Sequence, residues 1–279
     1  MEQIIVICPA KINLFLNILG KQNGKHIFKS INQSVDLYDY LTIKPNETGF
    51  INITINNEKK YINQENIIFK AAILMKQLYH IVYGFDIDIV KNIPDNANLG
   101  SDSTDAAGVI LGIKKMFNLD IDNDTLTFIG TMISPEVPFC LFGGTCLIDG
   151  SGSIVTEVNM DLCPFLIIKP NIDLNQKEMF EAYDKTCVNY FDFGYYAIGQ
   201  NDLEIVAPKE IKDIKDYMAN FNAYFTNMTS SGPTVIGAFN NKEELLNAYK
   251  NLKNYFQNYQ AYMVNPCKGI QILEKTRLN

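Results

Sequence analysis

Residues 92–107 read N-I-P-D-N-A-N-L-G-S-D-S-T-D-A-A, and this segment says more about the chain than any other. The residue pattern predicts a strand just before it, over 85–90, and a helix from about 103 to 117. The first amides of a helix lack backbone partners and its dipole favours negative charge, so the loop can bind phosphate. It is neither a P-loop nor a G-x-G-x-x-G motif. The segment by itself is more commonly explained as a helix capped by Asp102 or Ser103.

The rest of the chain predicts helices and strands without strict alternation, which indicates the α+β class. Residues 4–18 read as a strand or a bent strand pair, with Lys11 and Asn13 on the polar side and either a sheet edge or a break at Pro9. Further strands are predicted at residues 34–43, 50–55, 145–149, 164–169 and 233–239, with a last strand pair within 261–273. Further helices are predicted at residues 66–82, 123–130, 176–186 and 242–256. A boundary near 150–160 divides the chain into domains 1–155 and 156–279.

Composition and charge exclude several classes of protein. The chain has 279 residues, of which 47% are apolar and 20% charged, as in an ordinary globular protein. Its net charge is −7 without a basic block, so nucleic acid is not expected as a partner, because phosphate binding by side chains needs clustered Lys and Arg. No run approaches ~18 apolar residues, so no membrane span is expected. No secretory signal is recognised, so we expect a cytoplasmic protein.

The cysteines and histidines suggest neither a disulfide framework nor a His-rich metal site. The cysteines lack C-x-x-C spacing, which predicts buried, reduced thiols in a reducing compartment, and they are Cys8, Cys140, Cys146, Cys163, Cys187 and Cys267. The only histidines are His26 and His80, which are too few for a His-rich metal site.

Three segments of the chain carry a resemblance: P-A-K-I-N-L at 9–14, P-D-N-A-N-L-G-S-D-S-T-D-A-A at 94–107 and T-S-S-G-P-T at 229–234. Together they resemble the GHMP kinase superfamily, and within it most closely the diphosphocytidyl-methylerythritol kinases. The phosphate loop of that family looks like P-x-G-A-G-L-G-G-G-S-S-D-A-A, and this chain matches it in order and spacing at Pro94, Ala97, Leu99, Gly100, Ser103, Asp105, Ala106 and Ala107. Residues 9–14, P-A-K-I-N-L, resemble the first motif of the family, and residues 229–234, T-S-S-G-P-T, resemble the third. With weaker similarities between them, the resemblance covers nearly the whole chain, from about residue 9 to 240.

The resemblance implies a two-domain fold, with an N-terminal domain like ribosomal protein S5 domain 2 and a ferredoxin-like C-terminal domain. It implies an ATP-dependent kinase that uses Mg²⁺. Its acceptor would be the 2-hydroxyl of a cytidine diphosphate-linked polyol, diphosphocytidyl-methylerythritol, in non-mevalonate isoprenoid precursor biosynthesis. The expected partner is therefore a small molecule, and a homodimer is left open.

The resemblance also assigns roles to individual residues. Lys11 and Glu136 take the catalytic positions, facing the acceptor hydroxyl, because phosphoryl transfer needs charge neutralisation and a group that accepts the proton. Ser103 is expected to bind Mg²⁺. The ATP phosphates are assigned to the loop residues Pro94, Ala97, Asn98, Leu99, Gly100, Ser101, Asp102, Ser103 and Thr104. Substrate contacts are assigned to Asn13, Lys25, His26, Phe180, Ser231 and Gly232, although His26 is equally explained as a surface turn residue.

The chain departs from the family pattern where the chemistry is expected. Glu136 replaces an Asp and is one methylene longer, and a displacement near ~1 Å can cost ~100-fold in rate. Asn96 and Asn98 replace glycines, which Asn tolerates because it adopts left-handed backbone conformations readily. Asp102 also replaces a glycine, and its charge would oppose nearby phosphates by on the order of 4 kcal/mol unless it faces solvent, caps the helix or binds Mg²⁺. Lys25 replaces a Tyr that stacks on cytosine, a contact worth ~1–3 kcal/mol.

These departures leave three functions open. The first is the kinase for the cytidyl polyol. The second is a GHMP kinase for another small alcohol or phosphate acceptor, which the Lys25 replacement motivates. The third is a non-catalytic paralogue with a degraded phosphate loop, which Asp102 and Glu136 motivate.

Overall fold

The computed structural model describes residues 3–59, 65–186, 190, 192 and 197–274. They form these strands in chain order: β1 (Ile4–Gln22), β2 (Lys25–Asn46), β3 (Ile51–Ile55), β4 (Glu58–Lys59), β5 (Gly84–Val90), β6 (Thr145–Asp149), β7 (Ile154–Glu157), β8 (Phe165–Lys169), β9 (Phe225–Met228), β10 (Val235–Ala238), β11 (Gln260–Val264) and β12 (Gln271–Glu274). The helices are α1 (Ile67–Leu78), α2 (Ser101–Met116), α3 (Asn123–Ile133), α4 (Val137–Phe142), α5 (Gln176–Thr186), α6 (Lys209–Asn220) and α7 (Lys242–Tyr255), with a 3₁₀ helix at Asp202–Val206.

The first sheet has the strand order β12-β1-β2-β5-β3-β4, and β6 and β7 extend it from β2. Its apolar residues form one core with helices α1 to α4. Helix α2 lies close to the sheet because two of its residues are glycines. A Cβ at Gly108 would lie 2.4 Å from the sulfur of Cys8, and one at Gly112 would lie 2.7 Å from Ile43 Cδ1. This close packing sets where the N-terminus of α2, and so the phosphate loop, stands relative to β1.

The second sheet has the order β11-β8-β10-β9, and alternate residues of its strands enter two different cores. Leu166 and Ile168 of β8 face a core that contains α5, α6 and α7. Phe165 and Ile167 face a core that they share with β1. Both faces are therefore covered, which explains why this strand reads as a continuous apolar run.

Strand β1 connects the cores. Val6 contributes to the first core, Ile12 to the core between the sheets and Ile18 to the core beneath the helices of the second sheet. Register shifts against β2 after Pro9, Asn13 and Ile18 bend β1, but the strand runs without interruption from Ile4 to Gln22, so the chain does not break at Pro9. Lys11 and Asn13 consequently lie in the middle of the molecule.

The α+β class is confirmed, and several local predictions differ from the structure. The last two strands do not pair with each other, because β11 joins the second sheet while β12 pairs with β1 in the first. The first helix ends at Leu78 instead of residue 82, and α2 begins at Ser101. Its N-cap is Gly100, with φ of 75° and no side-chain cap, so the expected cap from Asp102 or Ser103 does not form. The division of the chain at residue 155 stays a prediction.

The cysteines of the described residues are free thiols, as expected. Three of them are buried, Cys8, Cys140 and Cys146, while Cys163 and Cys267 are partly exposed, and Cys187 lies outside the described residues. Burial raises the pKa of the Cys146 thiol to about 11. Among the described residues, no helix is long and apolar enough to cross a membrane.

Candidate active site

Lys11 lies on β1 directly beneath the phosphate loop, and its side chain is only 3% exposed. Its backbone N–H donates to the carbonyl of Leu99 at 2.8 Å, which ties the strand to the loop. Its ammonium lies 3.0 Å from Asn13 Oδ1 and 3.2 Å from Glu136 Oε1. Gly100 leaves room for the side chain, because a Cβ there would lie 2.7 Å from Lys11 Cγ. The loop therefore needs glycine at this position both for its positive φ and for the passage of the lysine.

Glu136 stands at the start of α4 with its side chain 40% exposed. One carboxylate oxygen contacts the ammonium of Lys11, and the other lies 3.4 Å from Ser103 Oγ. Ser103 belongs to the first turn of α2. Three elements that are distant in sequence thus place an ammonium, a carboxylate and a hydroxyl around one point. These groups can neutralise charge and accept a proton.

The loop has the backbone that its replaced glycines require. Asn96 and Asn98 both have φ of 52°, in the left-handed region, and Gly100 has φ of 75°. Between them Ala97 and Leu99 are buried and anchor the loop in the core between the sheets. The expectation that Asn takes over the conformational role of glycine here is confirmed by these angles.

The loop also contacts the third predicted motif. The Asn98 amide donates to Ser231 Oγ at 3.1 Å and to the carbonyl of Gly232. Ser231 is buried, and Gly232 has φ of 74°. Neither residue lines the cleft described below, whereas their neighbour Ser230 does. The structure therefore places the two predicted substrate contacts against the phosphate loop.

Asn13 organises the floor of the site through buried hydrogen bonds. Its amide donates to Ser30 Oγ at 2.8 Å and to Asn32 Oδ1 at 2.7 Å. Its amide oxygen accepts from Lys11 and, at 3.0 Å, from the hydroxyl of Thr229. Its side chain thus orients the lysine and links β1 to the segment after β9.

Lys91 is the main residue that the sequence reading missed. This lysine directly follows β5, and its ammonium lies 2.7 Å from Asp102 and 2.8 Å from the buried carboxylate of Asp105. The ammonium also donates to Ser101 Oγ and lies 3.6 Å from Asp39. Burial raises the pKa of Asp105 to about 7, which Lys91 opposes and Asp39 reinforces. The Asp102 side chain is 63% exposed and paired. The only sequence signal was a lysine at a strand end before an acidic helix start.

A cleft of about 850 Å³ extends from Lys11 and Glu136 to a second group of predicted residues, Lys25, His26 and Phe180. The two ends lie on different elements. Lys25 and His26 begin β2, and Phe180 lies on α5. The cleft therefore brings together the predicted catalytic pair and the predicted base-binding residues, at opposite ends of one cavity.

At the distal end, the His26 ring packs against Phe180 with ring centroids 4.4 Å apart and planes tilted by 31°. His26 Nε2 lies 2.9 Å from Asp184 Oδ1, and Lys21 donates to the same carboxylate. Desolvation disfavours the Asp184 charge, but hydrogen bonds from His26, Lys21 and Tyr190 outweigh it and lower the pKa of Asp184 to about 2. Sequence reasoning missed Lys21 and Asp184, because nothing in the pattern of either segment pairs them.

Two family profiles match the chain in tandem. The profile of the GHMP kinases N terminal domain matches residues 66–144, and that of the GHMP kinases C terminal matches residues 168–258. A 4-diphosphocytidyl-2-C-methyl-D-erythritol kinase of Caldicellulosiruptor saccharolyticus is 37% identical over 262 residues, covering 87% of this chain and 90% of that protein.

The chain belongs to the GHMP kinase family. A relative with the same name from Clostridium beijerinckii is 35% identical and covers 82% of this chain and 89% of its own. The described structure superposes on a crystal structure of 4-(cytidine 5'-diphospho)-2C-methyl-D-erythritol kinase with a TM-score of 0.76 at 21% identity, covering 94% of this chain and 99% of that chain. It superposes equally on a homoserine kinase from Cytophaga hutchinsonii, with a TM-score of 0.76 at 15% identity, covering 98% of both chains. The predicted GHMP kinase fold is confirmed.

Proposed function

We propose that this GHMP kinase transfers the γ-phosphoryl group of ATP to the 2-hydroxyl of 4-diphosphocytidyl-2-C-methyl-D-erythritol. The observation that carries the proposal is the ion pair of 3.2 Å between Lys11 and Glu136, which stands in the cleft beside the phosphate loop. Curated relatives at about 35% identity carry the name of this kinase. The extent of the match, over more than four fifths of the chain, supports the same acceptor here.

The arrangement of the site suits phosphoryl transfer. The acceptor hydroxyl oxygen attacks the γ-phosphorus, the bond from phosphorus to the β,γ-bridging oxygen breaks, and ADP leaves. Glu136, with an exposed carboxylate, accepts the hydroxyl proton. Lys11 lies between that carboxylate and the loop, so its ammonium stabilises the charge that develops on the transferred group.

The residues present fit a Mg²⁺ ion. Ser103, in the first turn of α2, offers a hydroxyl oxygen, and oxygen donors are those that Mg²⁺ prefers, while Glu136 is kept as the proton acceptor. Among the described residues, no group of three or more His, Cys, Asp and Glu side chains is arranged to bind a metal. That suits an ion that is bound by one or two side chains and otherwise by substrate phosphates. When bound, Mg²⁺ would neutralise charge on the β- and γ-phosphates.

A second candidate keeps the kinase and changes the acceptor. His26 and Phe180 are in direct contact, with ring centroids 4.4 Å apart, so the His26 ring already covers part of the Phe180 face on which a pyrimidine could stack. Lys25, which also lines the cleft, supplies a cation where the resemblance implies an aromatic face. A small acceptor without a base would not need this face for stacking. These two observations favour a test with several acceptors.

The experiment is ATP turnover, followed as ADP release, with and without the cytidyl acceptor and Mg²⁺. The proposal expects turnover only when ATP, the cytidyl acceptor and Mg²⁺ are all present. Homoserine and mevalonate serve as alternative acceptors, and turnover with one of them alone would establish the second candidate. No turnover with any acceptor, in the wild type and in Glu136→Asp, would support the non-catalytic paralogue. If Glu136 is the proton acceptor, Glu136→Asp holds or raises the rate.

A further inference from the structure

Three carboxylates converge on one ammonium immediately behind the phosphate loop. Asp39 and Asp105 are fully buried, and the Lys91 side chain that they face is only 10% exposed. Asp102 completes the cluster from the solvent side, with Oδ1 2.7 Å from the ammonium. Burial alone would lower the pKa of Lys91, but Asp105 and Asp102 raise it, so the lysine is charged at neutral pH.

The cluster also attaches both ends of the loop. Asp39 Oδ1 accepts from the backbone amides of Asn92 and Ile93, at 2.6 and 2.8 Å, where the loop leaves β5. Its other oxygen accepts from Ser101 Oγ at 2.6 Å, where α2 begins. Lys91 donates to the same hydroxyl. These hydrogen bonds therefore fix the position of the helix start relative to β5.

The charge of Asp102 is a problem for any phosphate ligand of this loop. Asp102 stands in the first turn of α2, where unpaired amides and the helix dipole attract anions. An uncompensated carboxylate there offsets the attraction that these amides exert on a phosphate, and its negative charge repels the phosphate. In this structure the side chain is directed to Lys91. The pair therefore offsets part of the Asp102 charge, while the same ammonium also faces the buried carboxylates of Asp105 and Asp39.

We propose that Lys91 is a positioning residue for nucleotide binding, which offsets part of the charge of Asp102 and holds its carboxylate toward the end of β5. This inference rests on the proposed binding of ATP at the loop. Lys91 acts through Asp102 and the loop, and it does not itself need to touch a phosphate. On this proposal, the phosphate loop tolerates an acidic residue at position 102 because the Lys91 ammonium pairs with its carboxylate.

A double-mutant cycle tests the proposal, with the Kd of a non-hydrolysable ATP analogue and Mg²⁺ measured by calorimetry. Lys91→Met should weaken binding at least about tenfold, because Asp102 is then uncompensated. Asp102→Asn should tighten binding at least about tenfold in the Lys91→Met background, but change it less than about threefold in the wild-type background. Lys91→Arg, which keeps the charge, should bind within about threefold of the wild type.

Several outcomes separate the explanations. If Asp102→Asn does not restore binding to Lys91→Met, the lysine acts directly on phosphate or only on the fold, and the inference is overturned. Lys115→Met removes the same charge at the other end of α2 and controls for net charge. If Lys91→Met does not fold, the cycle is run with Asp105→Asn in every variant. This substitution removes the buried carboxylate that has lost its cation. Absence of binding by the wild type would instead overturn the proposed function.

Discussion

The two ends of the cleft are built in different ways. At the transfer end, Lys11 and Asn13 are buried on a central strand, and their partners come from segments up to 216 residues away in the chain. At the distal end, Lys25 is exposed at the start of β2, and His26 and Phe180 contact each other and the solvent. The proposed catalytic pair is thus held by the core, whereas the residues proposed to recognise the acceptor lie on a hairpin and one helix. If the proposal is right, sequence changes at the distal end alter substrate choice with little cost in folding.

The largest effect is expected at the transfer end. Lys11→Met should lower kcat at least ~100-fold, or ~2.7 kcal/mol, because a contact to charge that develops in the transition state is lost. The Kd of ATP should change much less. Steady-state kinetics and nucleotide titration measure the two, with Lys44→Met, on the exposed face of β2, as the control. Full activity in Lys11→Met would rule out its role.

A smaller effect is expected at the distal end. Phe180→Ala should raise the KM of the cytidyl acceptor about tenfold and leave kcat within about threefold, because a stacking contact of ~1–3 kcal/mol is removed far from the reacting atoms. Phe128→Ala, at an exposed position of α3, is the matched control. A loss of kcat as large as that of Lys11→Met would mean that the two ends are not independent.

The replacement at position 25 should have a still smaller effect. Lys25→Tyr restores an aromatic face and should lower the KM of the cytidyl acceptor about fivefold, at the lower end of the stacking range because the His26 ring already covers part of the Phe180 face. Competition between cytidyl and uridyl acceptors, measured in both proteins, reports the change. A rise in KM would indicate that Lys25 itself contacts the natural acceptor.

The smallest effect concerns stability at the distal end. The pKa of Asp184 in the folded protein, about 2, is below the ordinary aspartate value of 3.8, so its stabilisation is fully present above about pH 4 and disappears as pH falls toward 2. After allowance for solvent screening, Asp184→Asn should cost about 1 kcal/mol at pH 7, or about 2–4 °C in Tm. The difference in Tm from the wild type should shrink at pH 2.5. A constant difference, or an equal loss in Asp88→Asn on β5, would contradict this cause.

The sequence predicted local elements well where their signal is local. The helix predicted at residues 176–186 is α5, and the strand at 164–169 is β8 to within one residue, because apolar periodicity and turn residues mark them. The prediction of a final strand pair was wrong because strand pairing is not local. A strand's partner depends on which sheet edge is free, and β12 pairs with β1, at the opposite end of the chain.

The sequence by itself determined the family and the loop, since the order and spacing of residues 9–14, 94–107 and 229–234 do not depend on the fold being known. It also identified Asn96 and Asn98 as able to replace glycine. Only the tertiary structure decided whether the Asp102 carboxylate is paired with a cation. Whether its charge repels a phosphate depends on the distance to a cation, and Lys91 reaches it from another element. The Coulomb energy of two charges depends on the distance between them in space, and the local sequence around Asp102 does not specify that distance.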